Sequence, residues 1–254
     1  MTEVRALVTG GSRGIGAATC KLLALEGYSV AVNYRSDRKA ADAVVAQIEA
    51  AGGTAASIKA DVADPADAAR LFDEAEAKLG TPLVALVNNA GITTNPERGP
   101  STTLDGLAVD EFERVFRTNV VGALNCCREA ARRMSPDAGH SAAIVNVSSG
   151  SAYIGNNIAY SVSKGALNSL QCSLVAPLMA RGIRLNTVSP GMCVTDMTSS
   201  LRTLVDPAKS CPAGRFGEPE EIAQAIVWLL SEKASFTAGA NIRVAGGKQT
   251  GFGM

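Results

Sequence analysis

The sequence predicts an α/β domain: a seven-stranded parallel sheet, doubly wound, with helices on both faces. Three observations predict it. Short apolar runs of strand length alternate with longer segments whose apolar residues recur at helical spacing. Parallel strands joined through such helices need right-handed crossovers, which cover a sheet on both sides. The first strand-to-helix junction is a glycine-rich turn, Thr9-Gly10-Gly11-Ser12-Arg13-Gly14-Ile15-Gly16. The polar and glycine residues that stand out elsewhere fall just past predicted strands, where open α/β sheets bind their ligands.

Taken in order, Val4–Val8 is an apolar run short enough for a buried strand, and 15–26 is helical in period, with Gly27 placed to end it. Tyr28–Tyr34 reads as the second strand and the Ala/Val-rich 38–51 as a helix closed by Gly52-Gly53. The third strand, 54–59, leads to Asp61-Val62. Asp64 followed by Pro65 is a capping residue with proline at the first helical position, opening a helix to residue 79. The run 83–87 is continuously apolar, as in a strand buried on both faces, and ends at Asn88-Asn89-Ala90-Gly91. After an irregular stretch, 92–106, residues 109–134 form a long helical stretch with a bend near Asn119. A strand at 144–147 precedes a helix at 160–181, in which Pro177 should kink or open the backbone ladder. A strand at 183–188 closes on Ser189-Pro190-Gly191, and 192–212 is again irregular. A helix at 218–230 and a last strand, Asn241–Val244, follow. No linker, repeat or low-complexity break divides residues 1–254, so they are read as one domain.

A hydrophobic content of 46% supplies a sizeable core, and 24 basic against 24 acidic residues argue against nucleic acid or an anionic membrane held by bulk charge. No apolar run is long enough to span a bilayer, and Glu3 and Arg5 interrupt any N-terminal signal core, so a cytoplasmic location is expected. Cys20, Cys126, Cys127, Cys172, Cys193 and Cys211 lack paired zinc spacing and are expected as free, buried or semi-buried thiols. The lone His140 is expected as a solvated loop residue, and no metal site is expected.

A strand that feeds a helix through a glycine turn brings unpaired helix N–H groups up to a phosphate. Gly10, Gly14 and Gly16 tolerate positive φ and leave room for a pyrophosphate, with Ser12, Arg13 and Ile15 completing the turn. An NAD site wants a carboxylate at the end of the second strand to accept from the ribose 2′-hydroxyl. Asn33, Tyr34 and Arg35 stand there instead, and Arg35 with Arg13 offers guanidinium donors suited to a 2′-phosphate, which points to NADP(H). The alternative is that both arginines are surface charges and Asp37 reaches back to the ribose.

Tyr160 and Lys164 lie four residues apart, on one helix face. A phenol with a reference pKa of about 10 is a poor base at neutral pH unless its phenolate is stabilised, and a nearby ammonium does that. The pair can then exchange a proton with a substrate oxygen. Ser149, just past the fifth strand, can hydrogen-bond the same oxygen, or merely cap a turn. Asn119, a poor helix former in mid-helix, can open the ladder and hold a water beside the lysine, or be a solvated helix residue.

Together these residues resemble, nearly end to end, the short-chain dehydrogenase/reductase family: Thr9-Gly10-x-x-x-Gly14-x-Gly16, Asp61-Val62, Asn88-Asn89-Ala90-Gly91, Asn119, Asn-Val-Ser-Ser at 146–149, Tyr160-x-x-x-Lys164, Pro190-Gly191 and Thr195. The resemblance implies a Rossmann-type fold and a tetrad of Asn119, Ser149, Tyr160 and Lys164. In it Tyr160 is the acid/base, Ser149 positions the carbonyl, Lys164 also holds the nicotinamide ribose, and Asn119 joins a proton relay. It implies adenine contacts from Asp61 and Val62, contacts near the adenine-side ribose from Asn88, Ala90 and Gly91, and nicotinamide contacts from Pro190, Gly191, Val194 and Thr195. It further implies a homotetramer packed through the two long helices and the last strand.

Two departures accompany it. Ser149 and Tyr160 are closer than is usual, so Ser148 or Ser151 is an alternative source of the hydroxyl, and Ala245 stands where an aspartate is usual. Substrate contacts are expected from 92–106 and 192–212, the latter fairly apolar with Met192, Cys193, Met197 and Leu201. That suits a small to medium carbonyl compound or secondary alcohol. The resemblance is close to 3-oxoacyl carrier-protein reductases and sugar dehydrogenases such as glucose dehydrogenases. Carrier-protein reductases tend to carry basic residues before the fifth strand, where this chain has Ser141-Ala142-Ala143, so that activity is the second reading. A non-catalytic dinucleotide-sensing module is the alternative of another class, and a broken tetrad would be its mark.

Overall fold

The computed structural model describes residues 4–80, 82–95, 102–136, 141–199 and 205–248. Its sheet contains β1 (Val4–Val8), β2 (Tyr28–Tyr34), β3 (Ala55–Lys59), β4 (Ala85–Asn88), β5 (Ala142–Val147), β6 (Ile183–Pro190) and β7 (Asn241–Val244). All pairings are parallel, and the order is β3-β2-β1-β4-β5-β6-β7. The order reverses between β1 and β4, which opens a crevice at their carboxyl ends. The helices are α1 (Gly14–Leu25), α2 (Arg38–Ala50), α3 (Pro65–Leu79), α4 (Val109–Phe116), α5 (Gly122–Arg133), α6 (Ser151–Ile154), α7 (Ile158–Met179), α8 (Pro207–Ser210) and α9 (Pro219–Leu230).

Successive strand residues point to opposite faces, so each strand feeds two cores. Val8, Val32, Val87 and Val145 pack with Leu23 of α1, Val44 and Ile48 of α2 and Ile226 of α9. Their neighbours Leu7, Ala31, Leu86 and Ile144 pack with Phe72 of α3, Cys126 and Cys127 of α5 and Leu178 of α7. Both faces are covered, which is why the strands read as unbroken apolar runs.

The long helical stretch divides where the bend was expected: α4 ends at Phe116, a single π-helical segment covers Arg117–Val121, and α5 follows. Helix α7 starts two residues ahead of Tyr160 because Asn157 caps it, its side chain accepting from Tyr160 N at 3.1 Å. Pro177, expected to kink or open the backbone ladder, lies inside this helix, which continues two residues beyond it to Met179.

The short helices α6 and α8 have too few residues to show a period. Nor was Arg184 singled out, a buried guanidinium that donates to the carbonyls of Leu229 at 2.8 Å and Ser231 at 3.2 Å and so closes the C-terminus of α9. Burial pushes the thiols of Cys20, Cys126, Cys127 and Cys193 up, the last two to about 12, while Cys172 is exposed, against expectation. His140 and Leu201 lie outside the described residues. Among the described residues, no helix is long and apolar enough to cross a membrane.

Candidate active site

The glycine turn is built against the end of β4. Thr9 Oγ1 accepts from Asn89 N and Ala90 N, both at 3.0 Å, and Asn89 Nδ2 donates to the carbonyls of Thr9 and Gly10, also at 3.0 Å. Gly10 has φ +60° and Gly14 φ +52°, as the motif predicts. Gly16 is glycine for a different reason than positive φ. It lies inside α1, and a Cβ there would stand 2.3 Å from Gly10 O and 2.5 Å from Asn89 Nδ2. Arg13, at the N-cap of α1, makes no side-chain cap, which leaves the first N–H groups of the helix for an anion. Ser12 is partly exposed beside them, and Ile15 packs onto the first core.

At the end of β2 the residues divide. Asn33 is buried, with Oδ1 accepting from Gly10 N at 3.1 Å and Nδ2 donating to Ala60 O at 3.1 Å. Its side chain ties β2 and β3 to the glycine turn. Tyr34 is buried in the core. Arg35 remains, more than half exposed, with Nη1 3.9 Å from Asp61 Oδ2. Arg13 Nη1 lies 3.7 Å from Asp196 Oδ2. Asp37 is engaged elsewhere, capping α2 through Ala40 N at 3.0 Å, which disfavours its reaching back to a ribose.

Asp61 accepts from Ala63 N at 3.0 Å. Val62 is buried beneath Gly122, where an added Cβ would sit 2.7 Å from Val62 Cγ2. Asn88 is buried and donates to Asn146 Oδ1 at 2.9 Å and Cys127 Sγ at 3.2 Å, so its side chain braces the sheet and does not face the crevice. Ala90 and Gly91 do border the crevice. Pro190 O accepts from Gly150 N at 2.8 Å, and a Cβ on Gly191 would meet Ala245 Cα at 2.8 Å, so a small residue at 245 suits this approach. Val194 N donates to Gly217 O at 2.8 Å. Thr195 lies against Gly14, whose added Cβ would be 3.1 Å from its Cγ2.

The tetrad converges. The Ser149 hydroxyl stands close enough to the Tyr160 phenol to favour its ionised form. Lys164 Nζ lies over the Tyr160 ring, 5.6 Å from its centroid, and donates to Val147 O at 2.7 Å. A Cβ on Gly91 would stand 3.3 Å from Lys164 Nζ and 3.4 Å from Asn119 Oδ1, which brings Asn119 to the same place. Of the three serines, Ser148 is buried and spends its hydroxyl on Lys164 O at 2.9 Å, Ser151 N donates to Ser149 Oγ at 3.1 Å, and Ser149 is the serine whose side chain influences the Tyr160 phenol.

Asn119 has both its donors engaged: Nδ2 donates to Ile92 O and Ser163 Oγ, each at 2.9 Å, while Oδ1 accepts from Ile92 N at 2.8 Å. Ser163 in turn donates to Tyr160 O at 2.7 Å, linking the π-helical segment to α7. Ser163 went unnoticed in the sequence, where a serine inside a helix carries no signal of its own; Asn89 was read there only as part of the Asn88-Asn89-Ala90-Gly91 motif.

The electrostatics differ from expectation. Burial pushes the Tyr160 phenol above its ordinary value, and the nearby Ser149 hydroxyl is the opposing influence. Burial also brings Lys164 down to about 8. A lysine whose affinity for protons falls on folding costs stability while it is charged. The cost is present below pH 8 and is relieved as pH rises from about 8 towards 10.5. Lys164→Met should therefore be more stable than the parent at pH 7, by on the order of 3 kcal/mol at about 1.4 kcal/mol per tenfold change in proton affinity. That advantage should shrink across this window. The buried thiols and Tyr160 pull the opposite way at high pH but are common to both proteins, so denaturant unfolding of the pair from pH 7 to 10 isolates the lysine.

A parallel doubly wound sheet, a glycine turn at its switch point and a Ser-Tyr-Lys cluster beside it define a dinucleotide-binding oxidoreductase. A family model described as Enoyl-(Acyl carrier protein) reductase matches residues 10–249. The uncharacterized oxidoreductase YgfF of Escherichia coli (strain K12) is 46% identical over 250 residues, 96% of this chain and 99% of that protein. The 3-oxoacyl-[acyl-carrier-protein] reductase FabG of Staphylococcus aureus (strain Mu50 / ATCC 700699) is 38% identical over 246 residues, 95% of this chain and 96% of that protein. A short chain dehydrogenase from Burkholderia cenocepacia J2315, solved in complex with NADP, superposes with a TM-score of 0.86 at 33% identity, covering 96% of this chain and 97% of that one. The chain belongs to the short-chain dehydrogenase/reductase family.

Proposed function

We propose that this oxidoreductase interconverts a carbonyl compound and a secondary alcohol with NADP(H), using Tyr160 as the general acid/base. The observation that carries the reading is the phenol of Tyr160, with Ser149 close enough to favour its ionised form and Lys164 over its ring face, beside Gly91 and the glycine turn. NADP(H) supplies or accepts the hydride when bound. Its fit is supported by Gly10, Gly14 and Gly16, which let the turn, the end of β4 and the start of α1 approach closely, by the uncapped start of α1, and by the exposed guanidinium of Arg35.

A carbonyl oxygen held by Ser149 and Tyr160 receives its proton from the phenol, which is protonated at neutral pH; burial makes it a weaker acid, and Ser149, which favours the phenolate, opposes that. In alcohol oxidation the same group takes the proton back. Lys164 holds positive charge beside the ring and offers its ammonium to a ribose. Both Nδ2 donors of Asn119 are used within the protein, so its part in a proton relay is read as that of an acceptor, through Oδ1 or through its backbone in the π-helical segment.

The assembly is read as a homotetramer, which the exposed apolar residues Leu124, Val162 and Met179 on α5 and α7 support, and the location as cytoplasmic. Reduction of 3-oxoacyl groups on a carrier protein is the second reading, favoured by the similarity to a 3-oxoacyl-[acyl-carrier-protein] reductase.

The test is a panel of ketones, diketones and 3-oxoacyl thioesters with NADPH against NADH. NADPH should be preferred. Arg35→Ala should weaken NADPH binding about 10- to 100-fold, the loss of a charge-assisted hydrogen bond of about 1.5–3 kcal/mol, and leave NADH nearly unaffected. A preference for NADH would overturn the cofactor assignment. Cofactor binding with no turnover of any carbonyl would favour the sensing module.

A further inference from the structure

The chain just beyond the end of β4, residues 92–95, runs along the first turn of α7. It belongs to no helix or strand, so its backbone groups must find partners elsewhere. They do so residue by residue. Ile92 is held through both its N–H and its carbonyl by Asn119. Thr93 O accepts from Arg114 Nη2 at 3.0 Å. The Thr94 hydroxyl accepts from Asn157 Nδ2 at 3.0 Å, and Asn157 is the cap three residues before Tyr160. Asn95 N donates to Glu111 Oε1. Thr94 is buried and Gly91 adjoins Lys164, so this segment is a wall of the cleft that holds the catalytic phenol.

Two of the four holds come from one pair on α4. Glu111 is buried, 7% exposed, and Arg114 meets it in a fork, Nε to Oε2 at 2.9 Å and Nη2 to Oε1 at 2.7 Å. The same Nη2 that reaches Glu111 holds Thr93 O, and the same Oε1 that accepts from Arg114 accepts from Asn95 N. A guanidinium can donate in both directions from a fixed plane, which a lysine cannot. The pair is therefore wired to the wall on both sides of Thr94 without touching Tyr160, Lys164 or the glycine turn.

We propose that Glu111 and Arg114 are positioning residues that set the substrate wall of the cleft, and through it the affinity for the carbonyl substrate. The proposal rests on the reading of this cleft as the carbonyl site. Arg114→Ala and Glu111→Ala should raise KM for the carbonyl substrate about 5- to 50-fold, the scale of a small misplacement at a reacting centre, with a smaller fall in kcat. The affinity for NADPH should stay within about twofold, since the glycine turn is untouched. Glu111→Gln keeps an acceptor for Asn95 N and should recover most of the loss, whereas Arg114→Lys should not. Hydrogen exchange supplies a readout apart from activity: the Asn95 amide should exchange faster in both alanine variants while the Ile92 amide, held by Asn119, stays protected. Wild-type turnover with KM unchanged in both alanine variants would overturn the proposal and leave the activity standing. A parallel loss of NADPH affinity and kcat would reduce the pair to a general structural role. A wild-type protein that turns over no carbonyl would remove the activity and the proposal together.

Discussion

Tyr160→Phe is expected to lower kcat for carbonyl reduction about 10²- to 10⁴-fold, the usual worth of a positioned acid/base, while NADPH binds with nearly unchanged affinity. The variant removes one oxygen and keeps the ring. Lys164 therefore keeps its place over the ring face, and its bond to Val147 O does not involve the phenol. The lost oxygen is the atom that meets Ser149, so the proton source for a carbonyl held there disappears while the cradle made by Gly10, Gly14 and Gly16 stays intact. On an energy scale the change is about 3–5 kcal/mol in the barrier and close to zero in cofactor binding. Steady-state kinetics at saturating NADPH give the first quantity and a binding titration the second. A loss shared between the two would instead mean that the phenol shapes the cofactor site.

Gly16→Ala is expected to be the most damaging single methyl added to this protein. The new Cβ would lie 2.3 Å from Gly10 O and 2.5 Å from Asn89 Nδ2, and the nearer of these is backbone. A flexible side chain could swing aside, but the Gly10 carbonyl is fixed by the bond it accepts from Asn89. Relief requires α1 to move off the turn. Overpacking of a well-fitted site typically costs about 1–3 kcal/mol, and a clash with fixed backbone belongs at or above the upper end. Thermal unfolding should fall by roughly 6–12 °C, at about 2–4 °C per kcal/mol for a chain of this size, and NADPH affinity should fall at least tenfold. Gly27→Ala is the control: that glycine has φ +89° but open space around it, so it should lose some stability and no cofactor affinity. If Gly16→Ala keeps its NADPH affinity, the tight approach of α1 to the turn is not what forms the phosphate cradle.

Much of this was legible in the sequence because it depends on local rules. The strands read as continuous apolar runs since both faces are buried, and Asp64-Pro65 announced α3 by its capping chemistry. The tetrad was legible because Tyr160 and Lys164 share a helix face. What sequence did not show are features set by distant contacts. Nothing local says that Asn33 spends its amide on Gly10 and Ala60, 23 and 27 residues away. Nothing local says that Asn119 spends both amide donors on Ile92 and Ser163, or that Gly16 is needed for space and not for its dihedral angle. The burial of Tyr160, which raises its pKa, is likewise set by distant packing and is not announced by the spacing of Tyr160 and Lys164.

The central claim is that one cleft both holds NADPH and places the Tyr160 phenol on the reacting carbonyl. The most direct measurement preloads wild type and Tyr160→Phe with NADPH, verified by cofactor fluorescence, adds a carbonyl that the wild type reduces, and follows the loss of NADPH absorbance through a single turnover. The account predicts equal loading of the two proteins and a rapid single turnover in the wild type, with one at least about 100-fold slower in the variant. Equal loading followed by equal rates would contradict it.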